Sequence, residues 1–510
     1  MRVFVFAIGG TGSRVLTAII MQLAAGVRLV DSDGKPIDSL VPIIVDPHED
    51  NAALQEATGL LDNYRTLHNS IYPSGVEDKD RGFFATKIET LKDISEVNTT
   101  ADKFYFKMQR VSDSTFDDFI GLSEMDPENR LFAQLLFSKD ELKTHMREGF
   151  YGSPNIGCVA LNEFKKSKDF EAFRSAYKEG DKLFFIGSIF GGTGAAGLPL
   201  FISSIRDLQH RDNTDMQGKD AAGDAPIGAL IVMPYFSIAS EEKSPINDSE
   251  FTIKTRSALR YYQTNLNRYI NDIYYIADPN GTEDFVNDPG SEGNQRENKA
   301  HIVEYIGALA LVDFVASNNT ETVEDAEGRK KARTTKYRAY GLQEDMKEIS
   351  FKGLSRSSNR VFIEPMMKFY LLRHFMEDHL RDLLKKPFAI KYKPEIEENV
   401  ISRELESFFR DFDTWIAEMS GHGSNAHNLS LFLPVRDNYT EAFSGVPTKK
   451  GLLFGSKTVK ANDVQKCLDS VAQNPDNIKN MPSGTTRWFT IADKALQQII
   501  SENYDYTNLK

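Results

Sequence analysis

Gly191-Gly192-Thr193-Gly194-Ala195-Ala196-Gly197 lies between two apolar runs, Leu183-Phe184-Phe185-Ile186 before it and Leu198 to Ile205 after it. That order reads as strand, glycine loop, helix. Glycines let the backbone approach an anion closely, and the N–H groups at the following helix start add their dipole, so such a loop suits phosphate. A second copy of the device opens the chain. Arg2-Val3-Phe4-Val5-Phe6-Ala7-Ile8 reads as a strand, Gly9-Gly10-Thr11-Gly12-Ser13 as the loop, and Val15 to Leu23 as a helix. One glycine loop after one strand is a weak signal. Two in one sheet point to a nucleotide.

The stretch Gly187-Ser188-Ile189-Phe190-Gly191-Gly192-Thr193-Gly194-Ala195-Ala196-Gly197-Leu198-Pro199 resembles the tubulin signature loop, in the form found in FtsZ and its bacterial and archaeal relatives. The Gly9 to Ser13 loop resembles that family's first loop. The resemblance implies that Gly9, Gly10, Thr11, Gly12 and Ser13 embrace the inner phosphates of a bound nucleotide. It implies that Gly191, Gly192, Thr193, Gly194 and Ala195 hold the outer ones. A purely structural glycine turn is the alternative at either loop. The chain departs from FtsZ just after the first loop, where an asparagine gives way to Arg14. A guanidinium accepts no hydrogen bond, but it pairs with phosphate or stacks on a base.

Further positions follow the same resemblance. Val41 to Val45 reads as a buried strand, and the acidic loop after it holds Asp46 and Asn51 where the family places its second nucleotide loop. An acid there suits Mg²⁺ held through water, while Asp50 or Asn51 equally suits the cap of a helix from Ala52. The cluster Gly152, Ser153, Pro154, Asn155 resembles the third loop, which faces the terminal phosphate; a simple turn before a strand is the alternative. Asn280 and Asn298 resemble the amides that select guanine, with helix capping the alternative for Asn298. The implied cofactors are GTP or GDP with Mg²⁺, and no residue is assigned as a direct metal ligand. The family completes hydrolysis with an acidic loop from a neighbouring subunit. Asp313 sits too early for it, on the helix that starts near Asn298, so Glu344 and Asp345 are the candidate catalytic acids although they match no signature.

The 510 residues carry a net charge of −13, are 40% hydrophobic and include two cysteines, Cys158 and Cys467. Such a charge repels a nucleic-acid backbone. The cysteines lie far apart, which argues against a disulfide framework and a cysteine zinc site and suits a reducing, cytoplasmic setting. No apolar run reaches the roughly 20 residues of a membrane span; peripheral membrane contact stays open.

The expected fold is α/β, a Rossmann-like parallel sheet with helices on both faces, a central buried helix and a C-terminal α+β region. The expected divisions are a nucleotide-binding domain over 1–293 with an insertion at about 55–150, a central helix over 294–318, and a helix-rich C-terminal domain over 319–510. Glu324 to Arg338 is charge-dense and reads as a solvated loop or hairpin flank. The function implied is guanine-nucleotide binding, with GTP hydrolysis coupled to self-association into a filament or oligomer, or to a protein partner. A non-polymerising nucleotide switch is the first alternative. An adenylating enzyme of the E1-like Rossmann type is the second, since Ala7 to Arg14 followed by Asp46 also fits that pattern.

Overall fold

The computed structural model describes the chain apart from residues 49–50, 78–80, 98–103, 107, 109–110, 112, 147–149, 151–152, 211–220, 236, 239–247, 279–285, 288–298, 319–321, 325–329, 333–334, 342–346, 355–358, 378–399, 423–426, 436–437, 450–456, 475–480, 508 and 510. Six strands form one parallel sheet: β1 Arg2–Ile8, β2 Ser39–Val45, β3 Lys182–Ser188, β4 Ile227–Val232, β5 Asp272–Ala277 and β6 Lys336–Gly341. Their spatial order is β2-β1-β3-β4-β5-β6. Every residue of β2, β3 and β4 is buried, which is why these strands read as unbroken apolar runs and not as alternation. Outside β2 the sheet edge is covered by two isolated parallel bridges, Leu40 to Ile88 and Ile44 to Tyr105.

The helices used below are α1 Gly9–Ala24, α2 Ala52–Ile71, α3 Pro127–Leu136, α4 Pro154–Ala160, α5 Lys168–Ala176, α6 Gly192–Arg206, α7 Ile302–Ala316, α8 Asn359–Phe375, α9 Glu406–Ser420 and α10 Gly484–Asn503. Residues of β1 alternate between the two faces of the sheet. Phe4 and Phe6 meet Phe173 of α5 edge-on at 5.3 Å. On the opposite face α1 and α7 pack side by side, so closely that a Cβ on Gly307 would lie 2.9 Å from Leu230 and 3.4 Å from Val15. The buried Gln22 of α1 donates to the Tyr305 carbonyl of α7 at 3.0 Å.

The first two turns of α7 are buried all round, as the sequence leads one to expect, but its later turns leave Leu309, Ala310, Val312 and Asp313 partly open. The C-terminal helices continue this layer. Phe84 sits in an aromatic cluster with Tyr64, Phe369 and Phe408, its ring 5.0 Å from that of Phe408. That packing holds its backbone at φ +53°, a left-handed conformation that non-glycine residues rarely adopt.

Beyond the two glycine stretches, whose residues Gly9 to Ser13 and Gly192 to Gly197 form the first turns of α1 and α6 where loops were expected, two expectations change. The charge-dense stretch before Arg338 does hold a short antiparallel hairpin, Thr322–Glu324 with Lys330–Ala332. Its end, however, enters the main sheet as β6, with Lys336 beside Asp272 and Gly341 beside Ala277. Edge position explains the missed strand. Tyr337 is exposed, so the apolar content that marks the central strands is absent. The second change concerns Pro154, which opens helix α4 where a family loop or a simple turn before a strand was expected; proline at a first helical position costs no hydrogen bond.

The C-terminus of α7 is fixed to the sheet by a buried lysine. Lys182, the first residue of β3, donates Nζ to the carbonyls of Val315 at 2.8 Å and Ser317 at 2.7 Å, with Phe314 at 3.3 Å. A cation on the last carbonyls of a helix satisfies groups that have no intrahelical partner and suits the dipole. Burial pulls its pKa down to about 8. Lys182→Met is expected to lower stability by roughly 1–3 kcal/mol, because buried carbonyls lose their donor; a denaturation midpoint unchanged from the parent protein would refute that role.

Candidate functional site

β1 and β3 are neighbours, yet the chain leaves β1 toward β2 on one side and β3 toward β4 on the other. A parallel sheet opens a crevice at the carboxyl ends of its strands where the winding reverses, and ligands of such folds bind there. Both glycine loops lie at this point. α1 begins directly at Gly9 and α6 at Gly192, with Ile8 and Gly191 as N-caps, and neither helix start is capped by a side chain. The starts touch: a Cβ on Gly9 would lie 3.4 Å from the backbone N of Gly194. Two uncapped helix N-termini therefore converge on one crevice, which favours negative charge.

The glycines divide by task. Gly10, Thr11 and Gly191 are partly exposed at the rim, whereas Gly9, Gly12, Ser13 and the residues Gly192 to Ala195 are buried. Gly9 has φ +72°, a conformation that suits glycine alone at the strand-to-helix corner. A Cβ on Gly12 would sit 2.6 Å from the Ala7 carbonyl carbon, and one on Gly194 would sit 2.8 Å from the Ser188 backbone N. Those two positions serve helix–strand packing. Ser13 turns inward and donates Oγ to the Gly9 carbonyl at 3.3 Å. Ala195 offers its carbonyl to the Tyr262 hydroxyl at 3.1 Å. Ser188, close to both Gly191 and Gly194, belongs to the corner as well.

The second loop joins the same rim. Asn51 caps α2, its Oδ1 accepting from the N–H groups of Ala53 at 2.9 Å and Leu54 at 3.4 Å. Its Nδ2 faces Gly10, where an added Cβ would be 3.3 Å away. Asp46, at the end of β2, is buried; it accepts from the His48 backbone N–H at 3.1 Å and from Asn51 Nδ2 at 3.5 Å. Burial pushes its carboxyl up to about 7, against the smaller opposing effect of the His48 bond. The third loop region arrives through α4. A Cβ on Gly157 would lie 3.1 Å from the Gly192 carbonyl, so α4 packs on the start of α6. Ser153 is its N-cap without capping through its side chain. Asn155 is exposed, with Nδ2 3.5 Å from Glu141.

Arg14 turns toward α7. Its guanidinium lies 2.5 Å from the carboxylate of the buried Glu304 and also donates to the Lys299 carbonyl. Desolvation, the largest single effect, lowers its pKa, but the charge and hydrogen bond of Glu304 together with Tyr235 and Glu418 outweigh it and hold the pKa above the ordinary value. Tyr235, 3.4 Å from Glu304, extends this pair. Gly152, Asn280, Asn298, Glu344 and Asp345 lie outside the described residues. Asp313 is on α7, bound to the Tyr274 hydroxyl at 2.6 Å and to Arg338 at 3.1 Å, away from the glycine loops.

A buried polar cluster beside Arg14 escaped the sequence reading. Asp278, the residue after β5, lies 2.7 Å from His427 Nδ1 and 3.4 Å from His301 Nε2. His301 caps α7 by accepting the Val303 N–H on Nδ1 at 3.2 Å. Burial first, then the neighbouring His422 and Arg14, drives its pKa well below the usual value. A neutral ring that accepts on Nδ1 carries its proton on Nε2, toward Asp278. His422 completes the group at the Ala300 carbonyl, 2.8 Å away. The only trace in sequence is the break at Gly421-His422-Gly423, since residues some 150 positions apart meet only in the fold. Among the described residues no group of three or more His, Cys, Asp or Glu side chains could hold a metal ion. No described helix is long and apolar enough to cross a membrane. Compared with models of known families, with curated proteins and with solved structures, the chain matched none.

Proposed function

We propose that this chain is a guanine-nucleotide-binding protein of the tubulin and FtsZ type, holding phosphates over Gly9 to Ser13 and Gly191 to Ala195 and hydrolysing GTP in step with self-association. The supporting observation is the convergence of two uncapped, glycine-rich helix starts on the β1/β3 crevice. Of the assigned residues, Gly10, Thr11, Gly191 and Asn51 supply the rim, since they reach its accessible surface. Mg²⁺ would be held mainly by phosphate and water, with Asp46 as the nearby carboxylate, because no protein-only cage of ligands is present among the described residues. Arg14, engaged by Glu304, acts on the base side of this reading and not on phosphate. Asn280 and Asn298 remain its guanine-selecting amides, and Glu344 with Asp345 its catalytic acids.

Calorimetry with GTP, GDP and ATP in Mg²⁺ tests the proposal. GTP and GDP are expected to bind, with ATP at least about tenfold weaker, the value of one well-made hydrogen bond to the base. No binding by any of them would end the nucleotide reading. Turnover per molecule that climbs with protein concentration supports assembly-coupled hydrolysis, whereas stable binding without turnover supports a nucleotide switch. One observation favours a second reading. Asp46 ends the strand next to the first glycine loop, where dinucleotide folds place the acid that holds a ribose. Tighter binding of ATP or NAD than of GTP would select it.

A further inference from the structure

The insertion between α2 and α4 presents one helix that does not fold its apolar side inward. In α3, Leu131 is 59% exposed, Phe132 61%, Leu135 76% and Leu136 55%, and Ala133 is the helix's one buried residue. These four side chains, at i, i+1, i+4 and i+5, form a single stripe along the helix. The helix is nonetheless firmly built. Asp126 caps it by accepting from Glu128 N and Asn129 N, Pro127 opens it, and Phe137 anchors its end against Phe116 at 4.8 Å. Such a stripe rivals the largest apolar patches on ordinary monomers, on the order of 300–600 Å².

We propose that α3 is a dimerisation helix, pairing antiparallel with α3 of a second copy of this chain across a two-fold axis. Charge selects that occupant. The whole chain carries −13, so two copies repel over most of their surface. The helix itself is balanced, with Glu128 against Arg130. With the axis between Ala133 and Gln134, Leu131 faces Leu136 and Phe132 faces Leu135. A two-fold contact needs this self-complementarity, each residue meeting its partner twice. Area supports the same occupant. Two stripes together remove on the order of 1,000 Å² from water, the floor for a specific interface and the range of weak, reversible ones. A basic amphipathic face, the mark of a helix that lies on anionic lipid, is absent from this balanced segment.

The inference goes beyond nucleotide binding and does not rest on it. Light scattering of the full chain at rising concentration, without nucleotide, is expected to show the mass moving from one chain toward two. Leu131→Glu with Leu135→Glu should hold it at one chain at every concentration while leaving the circular dichroism unchanged, since both positions are exposed. Leu135→Cys in a Cys158→Ser background should give a covalent dimer with a short bis-maleimide, and the double Glu variant carrying the same cysteine should lose it. A parent chain that stays monomeric throughout, or one whose dimer survives both Glu substitutions, overturns the proposal; so does a monomer captured by phosphatidylcholine vesicles, which would give the stripe to lipid. Loss of GTP binding with the dimer intact would refute the nucleotide reading alone.

Discussion

Gly12→Ala and Gly194→Val are expected to abolish the native fold, and Gly10→Ala to leave it intact while weakening nucleotide binding. The new Cβ at residue 12 would be 2.6 Å from the Ala7 carbonyl carbon and 3.1 Å from the Ile186 carbonyl oxygen. At residue 194 it would meet the backbone N and O of Ser188 at 2.8 and 2.9 Å. Backbone of the two central strands cannot swing aside as a flexible side chain can, so the cost reaches the exceptional range of about 5 kcal/mol or more. Gly10 differs because its Cβ would approach only the amide of Asn51, at 3.3 Å, on the accessible rim. A methyl there enters the space assigned to phosphate, and GTP affinity should fall at least about tenfold, a difference of roughly 1.4 kcal/mol. Thermal melting separates the two classes. A cooperative transition near the parental temperature for Gly12→Ala would show that α1 can move off β1, and unchanged affinity in a folded Gly10→Ala would remove the first loop from the phosphate site.

Asp46→Asn is expected to stabilise the protein at pH 8 and to do nothing near pH 4. The folded-state pKa of about 7 lies above the ordinary 3.8, raised first by burial. The stabilising contribution of the protonated carboxyl is therefore complete below about pH 4 and is lost as pH rises through about 7. A shift of that size corresponds to on the order of 4 kcal/mol. An amide keeps an oxygen for the His48 N–H and carries no charge, so the variant should recover a large part of that figure at pH 8. Denaturation midpoints of parent and variant, measured from pH 4 to 8, should diverge steadily; parallel curves would mean that Asp46 is hydrated and ordinary. Groups with strongly shifted ionisation in a cleft are where function is expected to trade against stability. If Asp46 serves Mg²⁺, the stabilised variant should also lose the Mg²⁺ dependence of nucleotide binding.

The features legible in neighbouring residues are local. The pairing of apolar run, glycine loop and helix at Arg2 to Leu23 and at Leu183 to Ile205 was enough for β1-α1 and β3-α6, because parallel strands buried on both faces and the helix starts after them are written in adjacent residues. The buried first half of α7 was legible for the same reason, in a run that is apolar on every side. The cap at Asn51 was one of two alternatives, Asp50 or Asn51, and the fold chose it.

Features that depend on distant partners come only from the folded chain. β6 has an exposed, charged sequence and is a strand because β5 offers it an edge. Glycine composition alone gives Gly194 and Gly10 the same meaning, yet one faces the Ser188 backbone and the other faces Asn51. The sequence names no protein partner for Arg14, and only the fold brings Glu304, 290 residues away, to 2.5 Å. The Asp278, His301 and His427 cluster and the pKa of Asp46 belong to the same category. A side chain's charge state and partners are set by desolvation and by groups that the chain folds around it, and neither quantity is a property of its neighbours in sequence.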